Sequence, residues 1–362
     1  MDLKFRAARR YVNEPVRIEC PDLSWDVKSA VIDGKRFPAA RLDIDGKTYL
    51  CALVDAKAGD NVMDLSDVLC GDCPESGIIS DGDCAAVTIG GKPFTKYYFG
   101  SDLAKPYLGP VLSKDGISFT RLNFKEKEHP HQRSVFIAVG DVRLSGLTPE
   151  GKEGVDFWNE PAERGVQAHK KLGTLYAMPS YMMISADNVW QNAEGVPMLD
   201  ESRSFVFYPQ DPSCRYIDVT VTFTAAYGDV KFGPTKEAGP LGVRVADGLR
   251  GDRGGLMTNS WGAKTEKECW GRPAVWCDYS GEISGHKLGV AVFDDERNER
   301  FPTTWHIRDY GLFAANNLYF RGGLDIPAGE SLTYRWRLVF HEGGCDIASK
   351  YIIYENQNHI SK

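Results

Sequence analysis

The stretch Arg215-Tyr-Ile-Asp-Val-Thr-Val-Thr-Phe-Thr-Ala225 alternates apolar and polar side chains along most of its length. Ile217, Val219, Val221 and Phe223 fall on one parity, with aspartate and threonines between them. A period of two residues is typical of a β-strand that buries one face and exposes or half-exposes the other. This stretch therefore predicts a strand inside a sheet that packs on one side.

The same kind of pattern continues on both sides of this strand. β-rich stretches occupy residues 180–188, 200–209, 241–245, 272–279, 288–293 and 332–340, and only residues 343–356 resemble a helix. The chain lacks the strand–helix alternation of a dinucleotide-binding fold. We predict an all-β protein: a smaller N-terminal β-sandwich-like region at 1–95, a large antiparallel β region at 96–345, and a C-terminal helix or tail at 346–362.

Composition limits the classes of partner. The 362 residues include 42% hydrophobic residues, and the net charge is −7. Nucleic acids and anionic membranes are bound through clustered Lys and Arg, so neither is expected as a partner. The first fifteen residues lack the apolar core of a secretory signal, and no run approaches the ~20 apolar residues of a membrane span. We predict a cytoplasmic protein whose nine cysteines are reduced.

A histidine motif precedes the apolar run 134–139. It reads Glu128-His129-Pro130-His131-Gln132-Arg133 and contains two of the seven histidines. If a strand starts here, alternation places both imidazoles and Arg133 on one face. Such a face could bind a metal, an anionic sugar or a carbonyl oxygen. A loop with two solvated histidines and a structural arginine is the alternative.

A second concentration of functional side chains lies in residues 300–317. Its members are Trp305, His306, Arg308, Asp309, Tyr310 and Asn316. Aromatic faces stack on the C–H groups of sugars, while charged and amide groups bind hydroxyls. These residues predict a sugar site, and an aromatic-rich strand with a local Arg–Asp pair is the alternative.

Several motifs together resemble one family. They are Lys105-Pro-Tyr, His129-Pro-His131, Gly154-Val-Asp-Phe-Trp158, Asp229-Val-Lys-Phe-Gly233 with Lys236-Glu237, Asn259-Ser, Trp270-Gly-Arg272, Trp276-Cys-Asp-Tyr279 and Pro302-Thr-Thr-Trp-His306 through Asn316. Over about residues 96–340 the chain resembles the PmoA-like (DUF6807) family of bacterial β-proteins. The methane-oxygenase label does not suit this chain, because a membrane oxygenase subunit needs spanning helices.

The resemblance implies a β-supersandwich similar to galactose mutarotases, a fold that hosts epimerases, polysaccharide lyases and glycoside-processing enzymes. The family context also points to oxidised (keto) glycosides as substrates. Family members usually carry a further histidine where this chain has Gln132. A direct role for that position is therefore not expected.

The leading hypothesis is a carbohydrate-active enzyme that hydrolyses, eliminates from or isomerises a glycoside or keto sugar through histidine acid/base chemistry. The predicted catalytic residues are His306, His131, Asp309 and Glu201. The predicted substrate-binding residues are Arg133, Trp158, Lys236, Asn259, Trp270, Arg272, Asp278, Tyr310 and Asn316. Asp278 is also considered as an orienting partner of His306.

Metal assistance is an open alternative. A divalent zinc, manganese or iron ion would be held by His129, His131 and His169, with His306, Glu201 or Glu237 as other third ligands. A second hypothesis places the chain in another functional class, as a non-catalytic carbohydrate-binding or sensing protein. The expected partner is a small carbohydrate in either case, and the oligomeric state is left open.

Overall fold

The computed structural model describes residues 2–44, 46–71, 73, 75–121, 128–160, 164–209, 211, 213–357 and 359. Within these residues nearly all regular structure is β-strand, and every hydrogen-bonded strand pair is antiparallel. The predicted antiparallel all-β class is confirmed. No helix in the described part of the chain is long and apolar enough to cross a membrane.

The first part of the chain forms a six-stranded sheet, with strand order β1-β6-β3-β4-β5-β2. Its strands are β1 (Asp2–Ala7), β2 (Tyr11–Glu19), β3 (Ser29–Ile32), β4 (Lys35–Ile44), β5 (Lys47–Ala56) and β6 (Gly59–Ser66). This N-terminal sheet buries a core of its own.

The remaining strands form two large sheets and a small one. In chain order they are β7 (Ser76–Asp81), β8 (Cys84–Ile89), β9 (Lys92–Tyr98), β10 (Tyr107–Leu108), β11 (Val135–Val139), β12 (Val142–Leu144), β13 (Val166–Ala177), β14 (Met182–Gln191), β15 (Pro197–Phe207), β16 (Cys214–Thr224), β17 (Val230–Phe232), β18 (Ala238–Arg244), β19 (Leu256–Asn259), β20 (Trp276–Ile283), β21 (His286–Asp294), β22 (Trp305–Arg308), β23 (Leu312–Ala315), β24 (Leu324–Ile326) and β25 (Ser331–Glu342). The helices are α1 (Glu266–Cys269) and α2 (Ile347–Gln357), with two single 3₁₀ turns at Asp247–Leu249 and Gly251–Arg253.

The two large sheets have eight strands each. The first large sheet has the order β22-β23-β18-β11-β10-β9-β8-β7, and the second has the order β13-β14-β15-β16-β25-β21-β20-β19. Strands β12, β17 and β24 form the small sheet. Apolar side chains from both large sheets meet in one continuous core, so these sheets are the two layers of a sandwich.

The stretch around Ile217 becomes β16, in the middle of the second large sheet between β15 and β25. Ile217, Val219, Val221 and Phe223 point into the sandwich core and are at most 1% exposed. The opposite face of this sheet packs against the N-terminal sheet and α2. The alternation therefore predicted the strand and the face in the sandwich core, but not the packing of the opposite face.

The sheets divide the chain earlier than the predicted boundary at residue 95. The N-terminal sheet ends at Ser66, and β7, β8 and β9 belong to the first large sheet. The predicted helix is present but begins at Ile347 rather than at residue 343, where Gly343 has a φ of +72°. A residue in the left-handed backbone conformation does not continue a right-handed helix.

Candidate active site

Alternation along β22 places two polar side chains on the outer face of the first large sheet. Trp305 and Ile307 point into the sandwich core. Because successive side chains of a strand point to opposite faces, His306 and Arg308 lie on the other face. His306 is only 4% exposed although it is outside the core.

The neighbouring strands supply an apolar floor on the same outer face. Phe136 from β11 and Leu312 and Ala314 from β23 cluster there with Tyr107 and Trp158. The indole of Trp158 is stacked toward the imidazole of His306, with centroids 6.5 Å apart. Trp158, predicted to bind substrate, is only 1% exposed and packs in this apolar cluster beside His306.

The histidine motif is a turn and not the start of a strand, so the loop alternative describes its backbone. The Gln132 N–H donates to the His129 carbonyl over 3.1 Å, His129 has a φ of +47°, and β11 begins only at Val135. Pro130 has no N–H to pair with a neighbouring strand, which favours the turn. The two imidazoles nevertheless lie close, with centroids 5.9 Å apart.

Arg121 holds this turn through its backbone. Its guanidinium donates to the carbonyl of His129 over 2.9 Å and to the carbonyl of Glu128 over 2.8 Å. Arg121 is buried and therefore fixes the backbone of the turn that carries both imidazoles. These two hydrogen bonds do not involve the ring nitrogens. Sequence pattern alone gave no signal for this arginine.

The turn and β22 enclose a cavity of about 430 Å³. We call it the histidine cavity; its lining residues are His129, His131, Gln132, Asn159, Lys236, Glu237, His306, Arg308 and Tyr310. The structure thus brings together six predicted site residues from three separate motifs. Asn159 was missed, and Glu237 was considered only as a metal ligand.

Burial controls the charge of the three imidazoles. It lowers the pKa of His131 to about 3, with the charge of Lys105 acting in the same direction. Burial lowers the pKa of His306 to about 4, although a hydrogen bond to the backbone of Lys236 raises it. Burial and Arg244 also lower the pKa of His129. Near pH 7 all three rings are neutral, so each offers one N–H donor and one acceptor nitrogen.

An ion network lies beside the cavity. Lys105 is 1% exposed and donates to the Trp158 carbonyl over 2.6 Å, with Glu160 3.1 Å away. Burial lowers the pKa of Lys105 to about 8. Arg133 donates to both Glu160 oxygens over 2.8–3.0 Å and covers the ring of Tyr107. Arg133 does not line the cavity, and its role in substrate binding stays a prediction.

Residues 84–350 match a family described as a family of unknown function (DUF6807). This chain belongs to the DUF6807 family. The predicted family is thereby confirmed, while the PmoA-like label stays a prediction. No curated protein matches the chain.

Among solved structures, this DUF6807 protein is similar to a mutant of heparan sulfate lyase HepC from Pedobacter heparinus. The identity is 8% and the TM-score 0.37, over 75% of this chain and 37% of that chain, so this chain spans little more than a third of the lyase. It is also similar to a GalM/aldose epimerase homologue from C. elegans, at 11% identity and a TM-score of 0.29, over 75% of this chain and 100% of that chain.

Two of the four predicted catalytic residues of this DUF6807 protein lie outside the histidine cavity. Asp309 is exposed, and its backbone N–H donates to Glu266. Glu201 is 2% exposed and accepts from the Trp190 indole over 2.7 Å and from Arg203. Its charge is compensated in the core, which is a structural arrangement.

Three predicted substrate-binding residues have structural partners. Asp278 pairs with His341, 3.0 Å away, and not with His306. Asn316 donates to the carbonyls of residues 235 and 236 over 3.2 and 3.1 Å, which holds the backbone next to His306. Trp270 packs against Tyr319 and Phe320. Asn259 and Arg272 line a second cavity that shares no residue with the histidine cavity.

The predicted metal ligands are brought together only in part: His129 and His131 line one cavity, and His169 lies elsewhere. His169 lies on β13, where it contacts Phe99 and Asn188 rather than the histidine turn. Neutral imidazoles are chemically suited to zinc, manganese or iron. However, no group of three or more His, Cys, Asp or Glu side chains in the described ranges is arranged to hold a metal ion. We therefore derive no chemical step through a metal.

Proposed function

We propose that this protein is an enzyme that removes a proton next to the carbonyl group of an oxidised (keto) sugar, which leads to β-elimination or epimerisation. The observation that carries the proposal is the convergence of three neutral imidazoles, two cations and one carboxylate on the histidine cavity. A cavity of about 430 Å³ is in the range of small-molecule sites.

The number of carboxylates favours proton abstraction over glycoside hydrolysis. Hydrolysis usually needs two carboxyl groups flanking the scissile bond. Of the described residues that line the cavity, Glu237 is the only carboxylate. It lies 3.7 Å from Lys236 Nζ and is half-buried, so it can act as the single base.

The remaining groups suit an oxyanion. When Glu237 takes the proton, the electron pair moves onto the carbonyl oxygen, and the enolate needs positive charge and N–H donors. Lys236 and Arg308 supply the charge. A neutral imidazole is a suitable N–H donor to such an enolate, because it polarises the oxygen without protonating it. His131 and His306 are assigned this role.

Two outcomes are possible for the enolate. Return of a proton to the opposite face of the carbon gives the epimer. Loss of the glycosidic oxygen two carbons from the carbonyl forms a carbon–carbon double bond and releases the alcohol. Both outcomes share the first step, so that step is the one to test.

The test is hydrogen exchange in D₂O, followed by proton NMR, with a methyl glucoside that carries a ketone at ring carbon 3. We expect loss of the signals next to the carbonyl with the parent protein, and at least a hundredfold slower exchange with Glu237→Gln and His306→Gln. Glu330→Gln, an exposed carboxylate in a turn remote in sequence, is the matched control and should exchange like the parent.

The second candidate is a non-catalytic carbohydrate-binding protein. It is the better candidate if Glu237 is not the base, because the low pKa values of His131 and His306 make both imidazoles poor proton acceptors. Saturable binding of the keto glycoside without exchange or release of methanol would support this candidate and overturn the enzyme proposal. A cytoplasmic location stays a prediction.

A further inference from the structure

A second cavity of about 550 Å³ opens beside the edge strand β19 and helix α1. We call it the tryptophan groove; its lining residues are Asn259, Trp261, Gly262, Ala263, Glu268, Arg272 and Pro273. We propose that the tryptophan groove binds a uronic-acid residue of an acidic polysaccharide. This goes beyond the proposed function, since neither cavity contributes a residue to the other.

Trp261 is the aromatic platform of the groove. Its side chain is 77% exposed, the highest exposed fraction among the large hydrophobic residues in the described part of the chain. Its indole N–H donates to the Pro273 carbonyl over 2.8 Å, so the ring is held in one orientation. The indole is thus both exposed to solvent and fixed in orientation. Its open face can stack on the C–H side of a sugar ring.

Asn259 supplies a buried donor that is left without a partner. The residue is 1% exposed, and its Oδ1 accepts from the backbone N–H groups of Trp261 and Ala263 over 3.0 and 3.2 Å. Its Nδ2 has no hydrogen-bond partner among the described residues. A buried amide without a partner costs free energy, so a ligand oxygen that accepts from it is favoured.

Arg272 adds a guanidinium at the same groove. It is exposed, and its side chain makes no hydrogen bond or ion pair with the described residues. The acidic member of the groove, Glu268, accepts from the Lys264 N–H over 2.8 Å. The amide of Asn259 and the guanidinium of Arg272 are therefore hydrogen-bond donors that a ligand acceptor can bind. A sugar carboxylate satisfies both, because arginine binds carboxylates through two parallel N–H donors.

The experiment is native electrophoresis in gels that contain either sodium polygalacturonate or the neutral polymer hydroxyethyl cellulose. We expect the polygalacturonate gel to retard the parent protein, and Trp261→Ala and Arg272→Ala to reduce the apparent affinity at least tenfold. Tyr227→Ala removes another exposed aromatic side chain, outside the groove, and is the matched control. It should be retarded like the parent, and the cellulose gel should retard none of them.

Three results would overturn the proposal: no retardation of the parent, equal retardation of Trp261→Ala and Tyr227→Ala, or retardation in the cellulose gel alone. Circular dichroism of each variant excludes loss of the fold as the cause. His306→Gln in the same polygalacturonate gel separates this proposal from the proposed function. It should be retarded like the parent whether or not the histidine cavity is catalytic.

Discussion

The imidazole of His129 lies parallel to the phenol ring of Tyr310, with centroids 4.7 Å apart and planes 9° from parallel. The guanidinium of Arg244 contacts the same ring, 4.7 Å from its centroid, and donates to Gln132 over 2.6 Å. Tyr310 follows β22, whereas His129 belongs to the turn before β11. This stacking therefore joins two segments that are distant in sequence into one wall of the cavity.

The first prediction concerns that wall. Tyr310→Leu removes the stacking on His129 and on Arg244, and we expect kcat/KM on the keto glycoside to fall about tenfold, since aromatic pairs contribute about 0.5–1.5 kcal/mol beyond their buried area. Tyr310→Phe keeps the ring and should stay within about threefold of the parent. Equal losses for the two variants would assign the role to the hydroxyl group instead.

The second prediction is a pH dependence that arises from His306. Its pKa is about 4 in the folded protein, below the ~6.5 of an unfolded chain, so the unfolded state takes up the proton first as the pH falls. The contribution of the neutral His306 ring to the free energy of unfolding is fully present above about pH 6.5 and is lost as the pH falls toward 4. At pH 5 the loss is about 2 kcal/mol. Turnover should likewise fall only as the pH approaches 4.

Urea unfolding at pH 7 and pH 5 checks this stability change. The free energy of unfolding of His306→Gln should depend less on pH than that of the parent, by about 2 kcal/mol over this interval. His286→Gln, which replaces an exposed histidine, is the control. If parent and His306→Gln lose the same stability between the two pH values, His306 is not buried as a neutral ring.

The sequence predicted the strands well, because their period of two is imposed locally by burial of one face. It also selected His129, His131, Lys236, His306 and Tyr310, which the fold brings to one cavity. The turn was predicted only as an alternative, since its geometry depends on the buried cation Arg121, which donates to two of its carbonyls.

The predicted site residues that lie outside the histidine cavity have a common physical feature. Arg133 and Asp278 are charged residues with the right chemistry for a sugar site, but Glu160 and His341 satisfy them. Such long-range pairs leave no spacing signal in a single chain. Asn259 and Arg272 were grouped with the histidines by their residue types, whereas the fold places them in another cavity.

The third prediction follows from the pair Asp278 and His341, which are both 4% exposed. Burial lowers the pKa of His341, but the hydrogen bond to Asp278 and its charge outweigh this, and the pKa is raised. Asp278→Asn should lower the free energy of unfolding by about 3 kcal/mol at pH 6, because a buried imidazolium loses its partner. The loss should shrink as the pH rises above the pKa of His341. A loss that does not depend on pH would contradict an ionised pair.

The fourth prediction concerns metals. Because no group of three ligands is arranged for a metal among the described residues, we expect exchange of the keto glycoside to survive dialysis against a chelator. Elemental analysis of the freshly purified parent and of the His129→Ala, His131→Ala double variant is the measurement. Near-stoichiometric metal in the parent that is absent from the double variant would contradict the expectation and place a metal at the histidine turn.

The fifth prediction concerns two thiols at the base of helix α2. Cys214, at the start of β16, and Cys345, just before α2, have their Sγ atoms 3.7 Å apart. Oxidised glutathione can link them: the two thiols lose their hydrogens and form a disulfide, while the oxidant is reduced to two glutathione molecules. The product would tie α2 to the second large sheet, 131 residues away in sequence. We expect stabilisation of about 2–4 kcal/mol, because the bond restricts the unfolded chain.

Mass spectrometry of proteolytic fragments checks the link, and urea unfolding of oxidised and reduced protein checks its effect. Cys345→Ser should lose both the link and the stabilisation. Cys277→Ser is the matched control, since that thiol is buried elsewhere in the sandwich core and should leave both intact. Cys214 is favoured as the attacking thiol, because the hydrogen bond to Cys345 and the charge of Lys350 lower its pKa. A mixed disulfide with glutathione that never resolves would show that the two segments cannot close the remaining distance, and that α2 is held only by noncovalent contacts.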